Sequence, residues 1–273
     1  MFLQQTNKGR LLTGARLLER IYHATVRNVR QTHGNAFMAL MLNILQTVVF
    51  VMAFYVLFSV LGLKGNAVRG DFMLFVMSGI FLFMTHTKAV GAVVGSGGPA
   101  SPMMKHAPMN TLVSISAAAL GSLYIQVLSL GVVLFFYHVI FTPIEIHQPV
   151  FAFGMFLLAW FSGTAVGMVF LAIKPWFPAF ISIASLIYMR ANMIASGKMF
   201  LANNLPSNRR SLFDWNPLFH AIDQSRGYTF INYNPHFTTI SYPLILSVVL
   251  MMVGLMGEFY SRKHVSISWT AGK

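Results

Sequence analysis

Cysteine is absent from the 273 residues, which excludes a disulfide framework, thiol chemistry and any Cys-based metal site. Acidic residues are nearly as scarce: six Asp and Glu stand against 19 Lys and Arg, and charged residues make up only 9% of the chain. Soluble domains carry roughly 25%. With 56% hydrophobic residues and a mean hydropathy of +0.66, so little charge rules out a soluble globular chain and predicts an integral membrane protein. A phosphate cradle of the form GxxxxGK[ST] is also missing. GAVVGSGG, residues 91–98, comes nearest but has no Lys to reach a phosphate. Any ATP hydrolysis is therefore expected in another chain. The nine His include no HExxH pair, so no metal site is expected, and His86 and His138 read as hydrogen-bonded structural residues.

The formal charge of +13 sits mainly at the ends of apolar runs, as membrane topology requires, so no nucleic-acid partner is expected. Residues 37–63 hold no charge in 27 positions, more than the ~20 that a spanning helix needs. Further runs follow at 72–88, 111–141, 150–173, 177–201 and 240–259. Lys88 lies about 25 Å along the second run by helical rise, and is expected to snorkel to the far interface. The third run is too long for a simple span and should tilt or lie partly along the interface. Gly163 and Gly167, in GTAVG, have the spacing that lets helices approach closely, usually within one subunit and less often across a dimer. The first ten residues are mostly polar and the first long apolar run begins near Phe37, so no cleavable leader is expected.

Lys8, Arg10, Arg16, Arg20, Arg27 and Arg30 precede the first run, and Lys105, Lys174, Arg262, Lys263 and Lys273 fall on the same side. Six spans with both termini cytoplasmic follow. The expected fold is an all-α integral membrane domain over 34–260, with an interfacial region at 1–33 and a cytoplasmic tail at 261–273. Within the first region Arg16, Arg20, His23, Arg27 and Arg30 recur at steps of four and three residues. Leu11, Leu18, Ile21, Tyr22 and Val29 take the opposite side, the pattern of a helix lying on an anionic membrane surface among lipid headgroups.

The longest polar interval between apolar runs is 203–237, which reads as the mouth of a pathway. A short helix is predicted inside it, with Asn216 as N-cap, Pro217 in the first turn and Gly227 as the stop. It is too short to cross a bilayer, yet Leu218, Phe219, Ala221 and Ile222 are apolar. A re-entrant helix dipping in behind other spans is expected. Arg190 lies ~20 Å along the fifth run, where a cation near the centre costs about 2.5–3.5 kcal/mol. Either it lines a route for an anionic substrate, extended outward by Lys198, Arg209, Arg210 and Arg226, or it pairs with Asp214, Asp223 or a backbone carbonyl. Trp215, Phe219, Tyr228 and Phe230 offer flat ring faces along such a route, whereas most of the 25 Phe should face lipid or pack helices. His220 and Asp223, three apart, could be an acid–base dyad, although a helix-supporting contact is the commoner meaning of that spacing.

The run SGKMFLANNLPSNRRSLFDWNPLFHAIDQSRGYTF resembles the last periplasmic region of ABC-2 type permeases that export capsular and related polysaccharides. The matching positions are Ser196, Gly197, Phe200, Leu205, Pro206, Asn216, Pro217, Leu218, His220, Ile222 and Arg226. Arg27, Arg30 and Gly34, leading from a basic helix into the first span, are similar too. The resemblance implies a homodimeric permease of the bacterial inner membrane, not itself an enzyme, driven by two ATP-binding cassette subunits that hold ATP and Mg. The loop 95–111, with Pro99, Ser101, Pro102, Met104, Lys105 and His106, would be its coupling helix. Arg190, Lys198, Arg209, Arg210, Trp215, Asn216, Pro217, Phe219, His220, Arg226 and Tyr228 would line the pathway of a lipid-linked, acidic polysaccharide moving from cytoplasm to periplasm. Periplasmic or outer-membrane export partners would then take the product. An exporter of another lipid-linked glycan, of O-antigen or teichoic-acid type, or of a lipid, fits the same residues. A membrane-embedded transferase using His220 and Asp223 ranks lower, as does a secondary carrier, for which only Glu258 offers an acidic group in a span.

Overall fold

Residues 10–31, 36–60, 62, 71–96 and 111–264 are described by a computed structural model of the chain. Their regular structure is helical: α1 (Arg10–Gln31), α2 (Ala36–Val60), α3 (Phe72–Gly95), α4 (Thr111–Ile140), α5 (Pro149–Ile173), α6 (Pro178–Ala195), α7 (Pro217–Thr229) and α8 (Ser241–His264). A 3-10 turn at Ala202–Asn204 and a single turn at Ser207–Arg210 lie between α6 and α7. Six of these helices, α2 to α6 and α8, are long and apolar enough to cross a membrane, which makes the chain a multi-pass membrane protein.

The helix ends follow local chemistry. Asp71 caps α3 by accepting from the Met73 amide at 2.9 Å, while its other oxygen accepts from the Tyr137 hydroxyl at 2.6 Å and binds the start of α3 to the end of α4. Proline opens α5 and α6 at positions where a missing donor costs nothing. Helix α6 stops at Ala195, short of the expected residue 201, because Gly197 takes a left-handed φ of +70° that turns the chain toward α7. The second span, by contrast, runs past Lys88 to Gly95. Helix α8 continues to His264, across the expected tail boundary at 260/261, because Ser261 is buried and donates to the Ala172 carbonyl at 2.7 Å.

Helix α3 is the axis of the bundle. Its most apolar stretch is 78% buried and that of α5 is 61%, against 17–28% for the other four spans, whose remaining surface is left for lipid or a partner. The α3–α5 seam is made by the GTAVG glycines. A Cβ on Gly163 would collide with the His86 carbonyl, and one on Gly167 would sit 2.9 Å from the Val93 Cβ. This close approach is within one subunit, the first of the two readings of that spacing. Above it His86 is satisfied by Ser162 Oγ at 2.9 Å and Tyr188 Oη at 2.9 Å, and His138 Nδ1 accepts from the Ile144 amide at 2.9 Å. Both are structural, as expected. Helix α1 packs along α4, with Val29 buried there, while Arg16, Arg20 and Arg27 are exposed. The side chain of Arg30 and the coupling-loop residues Pro99, Ser101, Pro102, Met104, Lys105 and His106 lie outside the described residues.

Candidate functional site: a polar cavity and its aromatic end

Helix α7 is built as the sequence predicts at its start and not at its end. Asn216 accepts from the Leu218 amide at 3.0 Å, and its side-chain amide donates to Asn192 Oδ1 at 2.8 Å and to the Ala195 carbonyl at 2.9 Å. One residue thus caps α7 and binds it to the end of α6. Gly227 is not the stop: the helix continues to Thr229, and Pro235 packs where a Gly227 Cβ would stand. Leu218, Phe219, Ala221 and Ile222 are all buried against the spans.

Five of the expected pathway residues are instead interior supports. Asn216 and Pro217 begin the buried helix, and Phe219 completes a three-ring cluster with Phe200 and Phe213, so all three are buried within the chain. The Arg226 guanidinium, 0% exposed, donates to the carbonyls of Gly197 at 2.9 Å, Phe200 at 2.6 Å and Lys198 at 2.5 Å, and rests 4.1 Å from the Phe75 ring centroid. It clamps the turn after α6, and Gly79 of α3 makes room for that clamp, since a Cβ there would lie 2.8 Å from Arg226 Nη2. His220 is buried between the Asp214 carbonyl at 2.8 Å from Nε2 and the Thr239 amide at 3.1 Å from Nδ1, which requires the Nε2–H tautomer. Asp223 accepts from Tyr233 at 2.6 Å, Thr238 at 2.9 Å and the Ala202 amide at 3.2 Å. The two side chains hold separate partners, so no acid–base dyad forms. Burial and the Asp223 carboxylate raise the Tyr233 pKa.

The remaining expected residues lie outside this core. Trp215 is 60% exposed, Arg209 is exposed, Tyr228 stacks on Phe151, and Arg210 spans Asp214 and the face of Phe237. Asp214 and Asp223 are therefore engaged away from Arg190, and the pairing reading of that residue with either carboxylate fails.

Arg190 belongs to a different place. It lines a cavity of about 680 Å³ floored by α3 and α4 and flanked by α2 and α6. Lys88 lines it as well, half-buried and donating to Gln46 Oε1 at 2.7 Å rather than reaching for a free interface. Beside them Gln126 donates to Asn43 at 3.1 Å and Asn43 to Ser129 at 2.7 Å, a polar chain between α4 and α2. No carboxylate lines the cavity among the described residues. At the end nearer α7 its wall is made by Phe50 and Phe83, and behind them stands Lys198, 3% exposed, its ammonium 3.7 Å from the Phe83 centroid, 4.5 Å from that of Phe54 and 5.3 Å from that of Phe50. Lys198 Nζ has no hydrogen-bond partner among the described residues, and burial lowers its pKa from 10.5 to about 7. The neutral amides are hard to read from sequence because they carry no charge and sit in strongly apolar helices. Asn43 and Gln46, three apart in an otherwise apolar helix, were the available signal.

Fold and cavity together define a polytopic α-helical membrane protein with a cationic, amide-lined recess between its spans. No protein-family profile matches the chain, and a search of curated proteins returns no significant match.

Proposed function

We propose that the chain is the membrane-spanning permease of an ATP-driven exporter that moves a lipid-linked, acidic polysaccharide out of the cytoplasm. The observation that carries this reading is the cavity: Lys88 and Arg190 face it, with no carboxylate among its described lining. Lys88 is half-buried and Arg190 exposed at the cavity's rim, and cations within spans are costly and mark routes for ions and substrates. The amides of Asn43, Gln46 and Gln126 supply both donors and acceptors for sugar hydroxyls, and the Phe50 and Phe83 rings supply flat apolar faces.

Other features fit the same machine. The likeness of residues 196–226 to ABC-2 permeases supports the class. Leu18 and Tyr22, exposed on the apolar side of α1 opposite its arginines, suit a helix seated in the inner leaflet of the bacterial inner membrane. Helix α7 is read as the re-entrant segment on the periplasmic side, with both termini cytoplasmic. A second copy would complete the wall between α2 and α6, giving a homodimer. Two cassette ATPases, holding ATP and Mg, would drive it through the segment between α3 and α4. ATP binding can do work here only through contacts that differ between the two states.

Two measurements test the reading together. Deletion should trap polysaccharide inside the cell, and the chain should co-purify with a Walker-A subunit. Replacing Lys88 and Arg190 together with Ala should cut export about tenfold or more. Full export by the double variant, or transport by the purified chain without nucleotide, overturns the proposal.

A further inference from the structure

We propose that Lys198 and the rings of Phe50, Phe54 and Phe83 form an anion-drawn latch: a phosphate or carboxylate in the cavity pulls the Lys198 ammonium off the rings and becomes its partner. The inference rests on the anionic-cargo reading above and names the group that recognises the charge. An ammonium carries three donors, and Lys198 uses none of them on the described residues. Ring faces compensate a buried cation only in part. The cavity supplies no carboxylate to complete the bonding, so the missing partner has to arrive from outside the described lining.

The geometry permits the movement. Phe50 and Phe83 line the cavity and also lie 5.3 and 3.7 Å from the ammonium by ring centroid, so the same two side chains border the cavity and hold the cation. The backbone of Lys198 is fixed, its carbonyl held by Arg226 and pressed against Gly79. Only the four-carbon stem has to swing. An anion beside the ammonium would favour its charged form, reversing the effect of burial. Lys88 and Arg190, further along the wall, would guide the same anion toward it.

The test uses the full chain in phosphatidylcholine nanodiscs with two probes, inorganic pyrophosphate and farnesyl diphosphate. The wild type should bind at least one of them. Lys198→Met should weaken binding about tenfold or more, and Lys198→Arg should keep it within about threefold. Phe83→Ala should tighten binding several-fold, because the anion no longer competes with the ring for the ammonium; a merely structural lysine would show no such gain. Binding of farnesyl diphosphate alone supports a lipid-borne phosphate as the occupant, and equal binding of both supports a free or polymer-borne anion. Should Lys198→Met fail to fold, the Phe83→Ala and Lys198→Arg arms still decide. Unchanged binding by Lys198→Met, or no tightening by Phe83→Ala, overturns the latch. If binding is then lost in Lys88→Ala and Arg190→Ala, the anionic-cargo reading survives it. If the wild type binds neither probe, both fall.

Discussion

Arg226 bonds three main-chain carbonyls and no carboxylate, so its guanidinium holds the turn at 197–200 in place rather than neutralising a charge. Truncation would leave the Lys198 and Phe200 carbonyls without that donor, at about 1–3 kcal/mol each where water cannot enter, while the Gly197 carbonyl would keep the Phe200 amide at 3.2 Å. Arg226→Ala should therefore lower stability by about 3 kcal/mol or more, read by thermal unfolding in detergent, and Arg226→Lys should rescue little because a compact ammonium cannot span the three oxygens. A variant as stable as the wild type would return Arg226 to the pathway. Lys198 titrates in the opposite sense from a stabilising lysine. Its folded pKa, about 7, lies below the ordinary 10.5, so between those values the unfolded chain binds more protons. Stability should rise with pH from about 7 toward 10.5 and be lowest below 7, where both states are protonated and burial penalises the folded one. Lys198→Met should flatten that rise in unfolding curves recorded at pH 7 and pH 9.5.

At the scale of elements, the glycines of the α3–α5 seam divide cleanly from those that face open space. Gly163→Ala places a methyl on the His86 carbonyl and must part the two helices, at about 1–3 kcal/mol. Gly154→Ala, on the same helix with nothing within 4 Å, should be neutral or stabilise by up to about 1 kcal/mol through helix propensity. Intrinsic tryptophan fluorescence on heating separates the two, and equal midpoints would mean the seam is looser than described. These spans were legible from sequence because hydropathy accumulates over some 20 residues, and the Asn216 cap because capping is local. The end of α6 was less so, since a single positive φ at Gly197 decides it. The cavity was hidden for two physical reasons. Asn43, Gln46 and Gln126 are neutral and barely dent the hydropathy of their helices, and the rings around Lys198 come from α2 and α3, far from it in the chain.

For the whole molecule, cross-links between helix ends define two faces of the bundle before either is assigned to a compartment. On one face Lys174 donates to the Val94 carbonyl at 2.7 Å and Trp176 to Ser261 at 3.1 Å, joining the ends of α3, α5 and α8. On the other face Asp71 joins α3 to α4, and the His147 and Gln148 amides donate to Thr229 and Tyr228 at the end of α7. Arg262 and Lys263 fall with the first group, as do the exposed arginines of α1 by helix alternation, and the proposed topology, which follows the positive-inside rule, has that face in the cytoplasm and α7 outside. The absence of native cysteine makes the assignment directly measurable, because any introduced thiol is unique. Trp215 is exposed and its indole donates to the Leu212 carbonyl, so Trp215→Cys is a mild change on the proposed outer face. Arg20→Cys places the same thiol on the exposed side of α1. On intact cells a membrane-impermeant maleimide should label Trp215→Cys at least about tenfold faster than Arg20→Cys, with the difference lost on permeabilisation. The reverse order would turn α7 toward the cytosol, and a cationic cavity closed at that end by Lys198 could no longer serve export.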